Sequence, residues 1–365
     1  MRRTAVLLLL LWACARAAAA PVDIAADAGG VQQPATTSRT FRMGFTTTPG
    51  GPAGGAKPAS GPTIRFVRRN GDFLVEPRNG QRVPWRNLAE GRTNGFFGQL
   101  ARRRAKLGTG LPVFVLITPL NIVGSSIGGG WPASLGQACV SNPQLQTAFK
   151  NYARVVVEAM HPDYLALGAE VNAYALKPPP ECPDDFDAYV TLYKETYALV
   201  KSLRPDLPVF VTFQLDFMHL TGQQMLPARF LPELDRLALS LYPSGGLTQL
   251  TPADIPPDYV SWARVAAPEL PLVISDTGYG TVSAGGAIGS TELQVQYVQW
   301  LLDQAEKERA ELVTWFFSTD PRYVLPGFGF DSFRSMGLAT PRFQPKPAFE
   351  VWSSFLSLPL VPDGT

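Results

Sequence analysis

Apolar residues in this chain come in short unbroken runs, and each run closes on polar residues or on Gly and Pro. Eight runs stand out: Phe41–Thr47, Asp72–Glu76, Val113–Pro119, Tyr164–Val171, Val209–Leu215, Leu237–Tyr242, Leu272–Asp276 and Leu312–Ser318. Short runs with little polar alternation suit strands buried on both faces, the kind found in parallel sheets covered by helices. Between them, Asn142–Met160, Asp184–Leu203 and Ser290–Arg309 have helical period and helix-forming composition. Each follows a segment suited to a helix start: Cys139–Ser141, Pro178–Pro183 and Gly285–Gly289. Strand alternating with helix predicts a parallel α/β fold, and eight strands is the number that closes a single (β/α)8 (TIM) barrel. A doubly wound open sheet is the alternative, but no glycine-rich phosphate fingerprint follows the first run. The Gly/Pro-rich connection Pro49–Pro62 reads as an irregular loop in place of the first helix.

The chain ahead of the first run has no such pattern. Met1–Ala20 combines Arg2 and Arg3, the apolar run Val6–Ala13 and the small residues Ala17–Ala20, the layout of a secretory signal peptide. Its apolar run is far shorter than the roughly 20 residues that span a bilayer. Cys14 after Leu11, Trp12 and Ala13 faintly resembles a lipobox, so lipidation of Cys14 in the cell envelope stands beside simple secretion. Residues 21–40 read as a flexible N-terminal segment, and residues 41–360 as one barrel domain of catalytic type.

Composition narrows the partners. The chain of 365 residues carries 17% charged residues and a formal net charge of +2, which falls to about −1 once Arg2, Arg3 and Arg16 leave with the signal. No run of Lys and Arg interleaved with aromatics occurs, which argues against nucleic acid. Only Cys139 and Cys182 then remain, and in an oxidising compartment a disulfide is the natural expectation, with two unpaired buried thiols as the alternative. With two histidines, His161 and His219, far apart in sequence, no zinc-type cluster is visible, so neither metal nor organic cofactor is expected. No Gly-x-Ser-x-Gly elbow supports a serine hydrolase.

In a (β/α)8 barrel the chemistry sits where strands end, and two carboxylates stand there: Glu170 near the end of the fourth run and Asp276 at the end of the seventh. Retaining hydrolysis of a glycoside needs one carboxyl to protonate the leaving oxygen and another, about 5 to 5.5 Å away, to attack the anomeric carbon. An apolar setting beside a second negative charge raises one of the two pKa values enough for acid work at neutral pH. The bland readings are a structural ion pair for Glu170 and a loop cap for Asp276.

At these two segments the chain resembles clan A glycoside hydrolases, the TIM-barrel glycosidases, in particular endo-β-1,4-galactanase-like and cellulase-like members. Leu167-Gly-Ala-Glu170-Val-Asn172 looks like their acid/base segment, and Pro271-Leu-Val-Ile-Ser-Asp276-Thr-Gly-Tyr279 resembles their nucleophile segment. Gly71–Val75 with Val83-Pro-Trp85, Ser240-Leu-Tyr242-Pro243, Trp315, Gly337-Leu338 and Lys346–Trp352 extend the likeness over nearly the whole mature chain. The resemblance implies a carbohydrate partner, Glu170 as acid/base, Asp276 in the nucleophile position, Tyr242 beside it and Trp315 as a platform under the sugar. Asn172, Gln214, Tyr279 and the loop tryptophans Trp85 and Trp131 are further candidates for sugar contact, and His219 is a weaker one.

Two positions depart from the clan pattern. Its nucleophile is normally Glu, longer than Asp276 by one methylene, and Ala169 stands where the clan has an asparagine that binds the sugar 2-hydroxyl. A longer carboxylate separation, about 6.5 to 9.5 Å, would admit a water and invert the product. The leading expectation is therefore a secreted glycoside hydrolase. A non-catalytic carbohydrate-binding relative and a barrel enzyme acting on another substrate remain as alternatives.

Overall fold

The computed structural model describes residues 36–49, 60–78, 83–121, 126–128, 130–176, 178–245, 248–322 and 331–361. The expected signal peptide, Cys14 and most of the expected N-terminal segment lie outside the described residues, as do residues 50–59 and 122–125 of the irregular loops.

Among the described residues, nine parallel strands form one sheet: β1 (Arg42–Thr46), β2 (Phe73–Pro77), β3 (Val113–Leu116), β4 (Tyr164–Ala166), β5 (Val209–Phe210), β6 (Thr212–Gln214), β7 (Leu237–Leu241), β8 (Leu272–Thr277) and β9 (Ala310–Trp315). Their order is β5-β4-β3-β2-β1-β9-β8-β7-β6. Its two ends are one piece of chain, because only Val211 separates β5 from β6. The Leu167 N–H donates to the Phe210 carbonyl at 2.8 Å and the Thr212 N–H to the Gly168 carbonyl at 3.0 Å, so the ring closes across this break. The sheet is thus the expected eight-position barrel, with its fifth strand interrupted once.

Helices cover the outside: α1 (Ser60–Arg69), α2 (Trp85–Ala89), α3 (Asn94–Leu107), α4 (Pro143–Met160), α5 (Val171–Leu176), α6 (Asp185–Leu203), α7 (Leu215–Thr221), α8 (Thr291–Lys307) and α9 (Pro347–Leu356). None of the described helices is long and apolar enough to cross a membrane. The starts of α4 and α8 follow from capping. Asn142 accepts from the Gln144 N–H, with Pro143 opening the helix, and Ser290 accepts from the Leu293 N–H, so one orphan donor of each first turn is satisfied.

Two expectations change. A helix, α1, does follow the first strand: Thr63, Ile64 and Val67 bury one face, and Pro62 sits in the first turn, where a missing N–H breaks no helical bond. The fourth strand stops at Ala166, short of Val171. A Cβ on Gly168 would lie 1.9 Å from the Tyr189 hydroxyl, which donates to the Leu167 carbonyl, so the chain turns here under a ring that only glycine admits.

Cys139 and Cys182 form a disulfide with Cα atoms 5.8 Å apart, tying the loop before α4 to the loop before α6. Buried Asp185 beside it accepts from the Val140 and Ser141 N–H groups at 2.5 and 2.8 Å and from the Tyr174 hydroxyl at 2.5 Å. Tyr174 belongs to α5, the helix that starts directly after Glu170, so this knot braces the region that carries the acid.

Candidate active site

Glu170 occupies the turn between β4 and α5 with φ of +48°, a left-handed backbone that costs a non-glycine residue about 1 kcal/mol. Its N–H is held by the Thr212 hydroxyl at 2.9 Å. Strain of this kind tends to gather at functional sites. Its Oε1 accepts a 2.7 Å hydrogen bond from the hydroxyl of Ser240, a fully buried residue of β7.

Asp276 comes from β8. Along β7 and β8, Leu239 is paired with Ile274 but Ser240 with Asp276, so Ser275 and Asp276 share one position of the partner strand. That β-bulge re-aims the strand at its end. Asp276 Oδ1 accepts a 2.5 Å bond from the Tyr242 hydroxyl. Ser240 is therefore the register partner of one acid and the hydrogen-bond donor of the other, on strands about 4.8 Å apart. The two carboxyls meet at the mouth of the barrel.

Both are half-buried, and the protein around them displaces much of their water. Burial pushes Glu170 up to about 8, with the Asp276 charge adding to the rise and the Ser240 hydroxyl opposing it. Burial also raises Asp276, to about 6, while the Tyr242 hydroxyl pulls it back down. Burial raises both groups, and Glu170 rises further because the Asp276 charge lies close to it.

Behind them lies a third carboxyl that sequence reasoning passed over. Asp216 in α7 is buried and accepts from the Tyr242 N–H at 2.6 Å, the Tyr259 hydroxyl at 2.5 Å and the Gln214 amide at 2.6 Å. It thereby fixes the backbone of the tyrosine that holds Asp276. Period two along β7 puts Ser240 on the face of Tyr242, the one sequence signal that could have singled out Ser240.

The other expected site residues divide sharply. Tyr242 touches the pair. Asn172 is fully enclosed, its amide bonded to the backbone of Gln214 in both directions, at 3.0 and 2.8 Å. The Gln214 side chain caps α7 through the Phe217 N–H and donates to Asp216, so it ties the two ends of a turn together. Trp315 is not a platform: it is fully buried, bonds the Met336 carbonyl at 2.8 Å and packs on Tyr297 of α8 and Trp352 of α9. Strand parity turns it to the helices. Its neighbour Phe316 instead meets the Tyr242 ring at 6.5 Å, with Phe333 at 5.6 Å from the same ring. Tyr279 is likewise enclosed and bonds the Leu250 carbonyl. Trp85 is 1% exposed, bonding the Gly128 carbonyl and meeting half-buried Trp131 edge-on. His219 is stacked between Tyr259 and Trp262, and His161 ends α4 in a left-handed turn.

No protein-family model and no curated protein matches the chain. Solved structures do resemble it. GH5_18 from Streptomyces cattleya in complex with GlcNAc superposes with a TM-score of 0.65 at 16% identity, covering 89% of this chain and 82% of that one. A GH5_18 variant from the same organism in complex with Manb1-4GlcNAc gives 0.63 at 16% identity, covering 86% and 79%. The exo-beta-1,4-mannosidase Op5Man5 from Opitutaceae bacterium strain TAV5 gives 0.61 at 16% identity, covering 91% of this chain and 62% of that protein. At these identities the likeness is one of fold alone, a TIM barrel.

Proposed function

We propose that this protein is an exported glycoside hydrolase in which Glu170 protonates the leaving oxygen and Asp276 serves as nucleophile or base. The observation that carries the reading is the arrangement of the two carboxyls: Ser240 bonds Glu170 and is the register partner of Asp276, no cation stands among their hydrogen-bond partners in the described residues, and burial raises both pKa values, that of Glu170 further through the Asp276 charge. Glu170 transfers its proton to the glycosidic oxygen as the bond to the anomeric carbon breaks. Asp276, held by Tyr242, attacks that carbon directly or draws a proton from an attacking water. The bulge at Ser275–Asp276 supports Asp in a place where the clan uses the longer Glu, because it alters how the strand end presents the side chain. The anomeric configuration of the first product, read by proton NMR, separates the two routes: retention assigns Asp276 as nucleophile and inversion as base.

β-Mannosides head the substrate panel, since one neighbour is named an exo-β-1,4-mannosidase and another holds Manb1-4GlcNAc. Export is supported by the pattern of Met1–Ala20 and by the Cys139–Cys182 disulfide, a bond that persists in oxidising compartments. The test is release of reducing sugar from β-mannosides and other poly- and oligosaccharides by wild type and Glu170→Gln. Release by wild type and its loss in the variant support the reading. Binding of glycan by both with release by neither replaces it with a carbohydrate-binding role.

A further inference from the structure

We propose that Ser240 is a positioning residue of the carboxyl pair, whose hydroxyl decides which oxygen of Glu170 carries the transferable proton. This rests on the hydrolase reading for its consequence, though not for its geometry. Ser240 has no exposed surface, and its hydroxyl makes a 2.7 Å bond to Glu170 Oε1. A buried hydroxyl hydrogen needs an acceptor, and an unsatisfied one is costly. Were Glu170 to donate from Oε1 instead, the Ser240 hydrogen would be left without the one acceptor it has in the described structure. The hydroxyl therefore donates, Oε1 stays bare, and the proton of the neutral acid sits on Oε2, which takes no hydrogen bond from the described residues.

The other groups that bear on Glu170 do not compete for this role. Asp276 on β8 and Asp216 on α7 are acceptors whose charge raises the Glu170 pKa, the Tyr242 hydroxyl is committed to Asp276, and the Thr212 hydroxyl holds the Glu170 backbone N–H. Among the described residues, Ser240 alone donates to the carboxyl. When the Oε2 proton passes to the leaving oxygen and the electron pair of the broken bond goes with that oxygen, negative charge appears on Glu170, and the Ser240 bond becomes charge-assisted and stronger. Its help is thus greatest once the proton has gone, which places the effect in kcat more than in KM.

The direct test is the titration of the Glu170 carboxyl in Ser240→Ala and Ser240→Thr, followed by carbon-13 NMR of labelled glutamate and assigned with Glu170→Gln. Removing a donor to the ionised form raises the pKa, so Ser240→Ala should titrate about 0.5 to 1 pH unit above wild type, and Ser240→Thr, which keeps a hydroxyl, should return toward it. Where the enzyme turns over, Ser240→Ala should lower kcat about tenfold with KM little changed, and its basic limb should move up by the same shift. An unmoved Glu170 titration in Ser240→Ala overturns the proposal. A shifted titration in a protein without turnover upholds the Ser240 bond to the Glu170 carboxyl and overturns the hydrolase reading alone.

Discussion

The two ends of the barrel treat their acids differently. At the end where strands begin, Glu311 of β9 receives the Tyr164 hydroxyl at 2.7 Å and the Arg236 guanidinium, so a cation neutralises it. At the end where strands finish, the carboxyls of Glu170 and Asp276 receive hydroxyls among the described residues, Ser240 on Glu170 and Tyr242 and Ser275 on Asp276, and the Asp276 charge bears on Glu170. An acid with a cation beside it has its charge matched and serves to hold strands together. Two buried acids without one are destabilising, a cost that the proposed chemistry of the pair would explain.

The largest expected effect comes from removing the proposed proton donor. Glu170→Gln should lower kcat/KM on substrates with poor leaving groups by about 10³-fold or more, measured as steady-state kinetics, while Glu311→Gln leaves it unchanged per folded molecule. Next is Tyr242→Phe, which strips the hydroxyl from Asp276 and should cost about 10- to 100-fold in kcat, with a rise in the acidic limb of the pH profile because Asp276 loses the bond that favours its charge. At the other end the ranking reverses: Glu311→Gln should lose about 1 to 3 kcal/mol of unfolding free energy in urea, because Arg236 is left without its partner.

The pH dependence of stability sharpens the contrast. Folded Glu170 binds its proton more tightly than an unfolded glutamate does, so its contribution to stability is whole below the ordinary value near 4.5 and is lost as pH rises through about 8. Glu170→Gln removes that loss. Its Tm should therefore exceed that of wild type by a margin that widens from about pH 5 to about pH 8, as followed by calorimetry. A margin that stays constant over that range would mean that Glu170 titrates normally. The smallest effect expected is on sugar affinity in Trp315→Phe, which should soften the fold without moving KM, since the indole faces α8 and α9.

Much of this was legible in the sequence, and the failures have physical causes. Eight apolar runs announced eight barrel positions because a strand buried on both faces needs no polar alternation. The same property hid which residues face inward. Trp315, Phe316 and Phe317 are consecutive aromatics with no polar residue to set the parity, and the indole expected under a sugar turned out to pack against the helices. Val211, which breaks the fifth strand, carries no Gly or Pro signal beside it. Asn172 and Gln214 lie close to Glu170 along or across the chain, yet each has its amide committed to the turn between β6 and α7, a matter of local direction that spacing does not encode. Glu170, Asp276 and Tyr242 were legible because strand ends mark the barrel mouth. Asp216 was not, because its role depends on Tyr259 from a distant loop.

The most direct test compares Glu170→Gln on two substrates of the same sugar, an alkyl glycoside and a 2,4-dinitrophenyl glycoside, the second of which departs without a proton. If Glu170 is the donor, cleavage of the alkyl glycoside collapses while the first step on the dinitrophenyl glycoside proceeds at close to the wild-type rate. Equal loss on both, or none on either, contradicts the assignment.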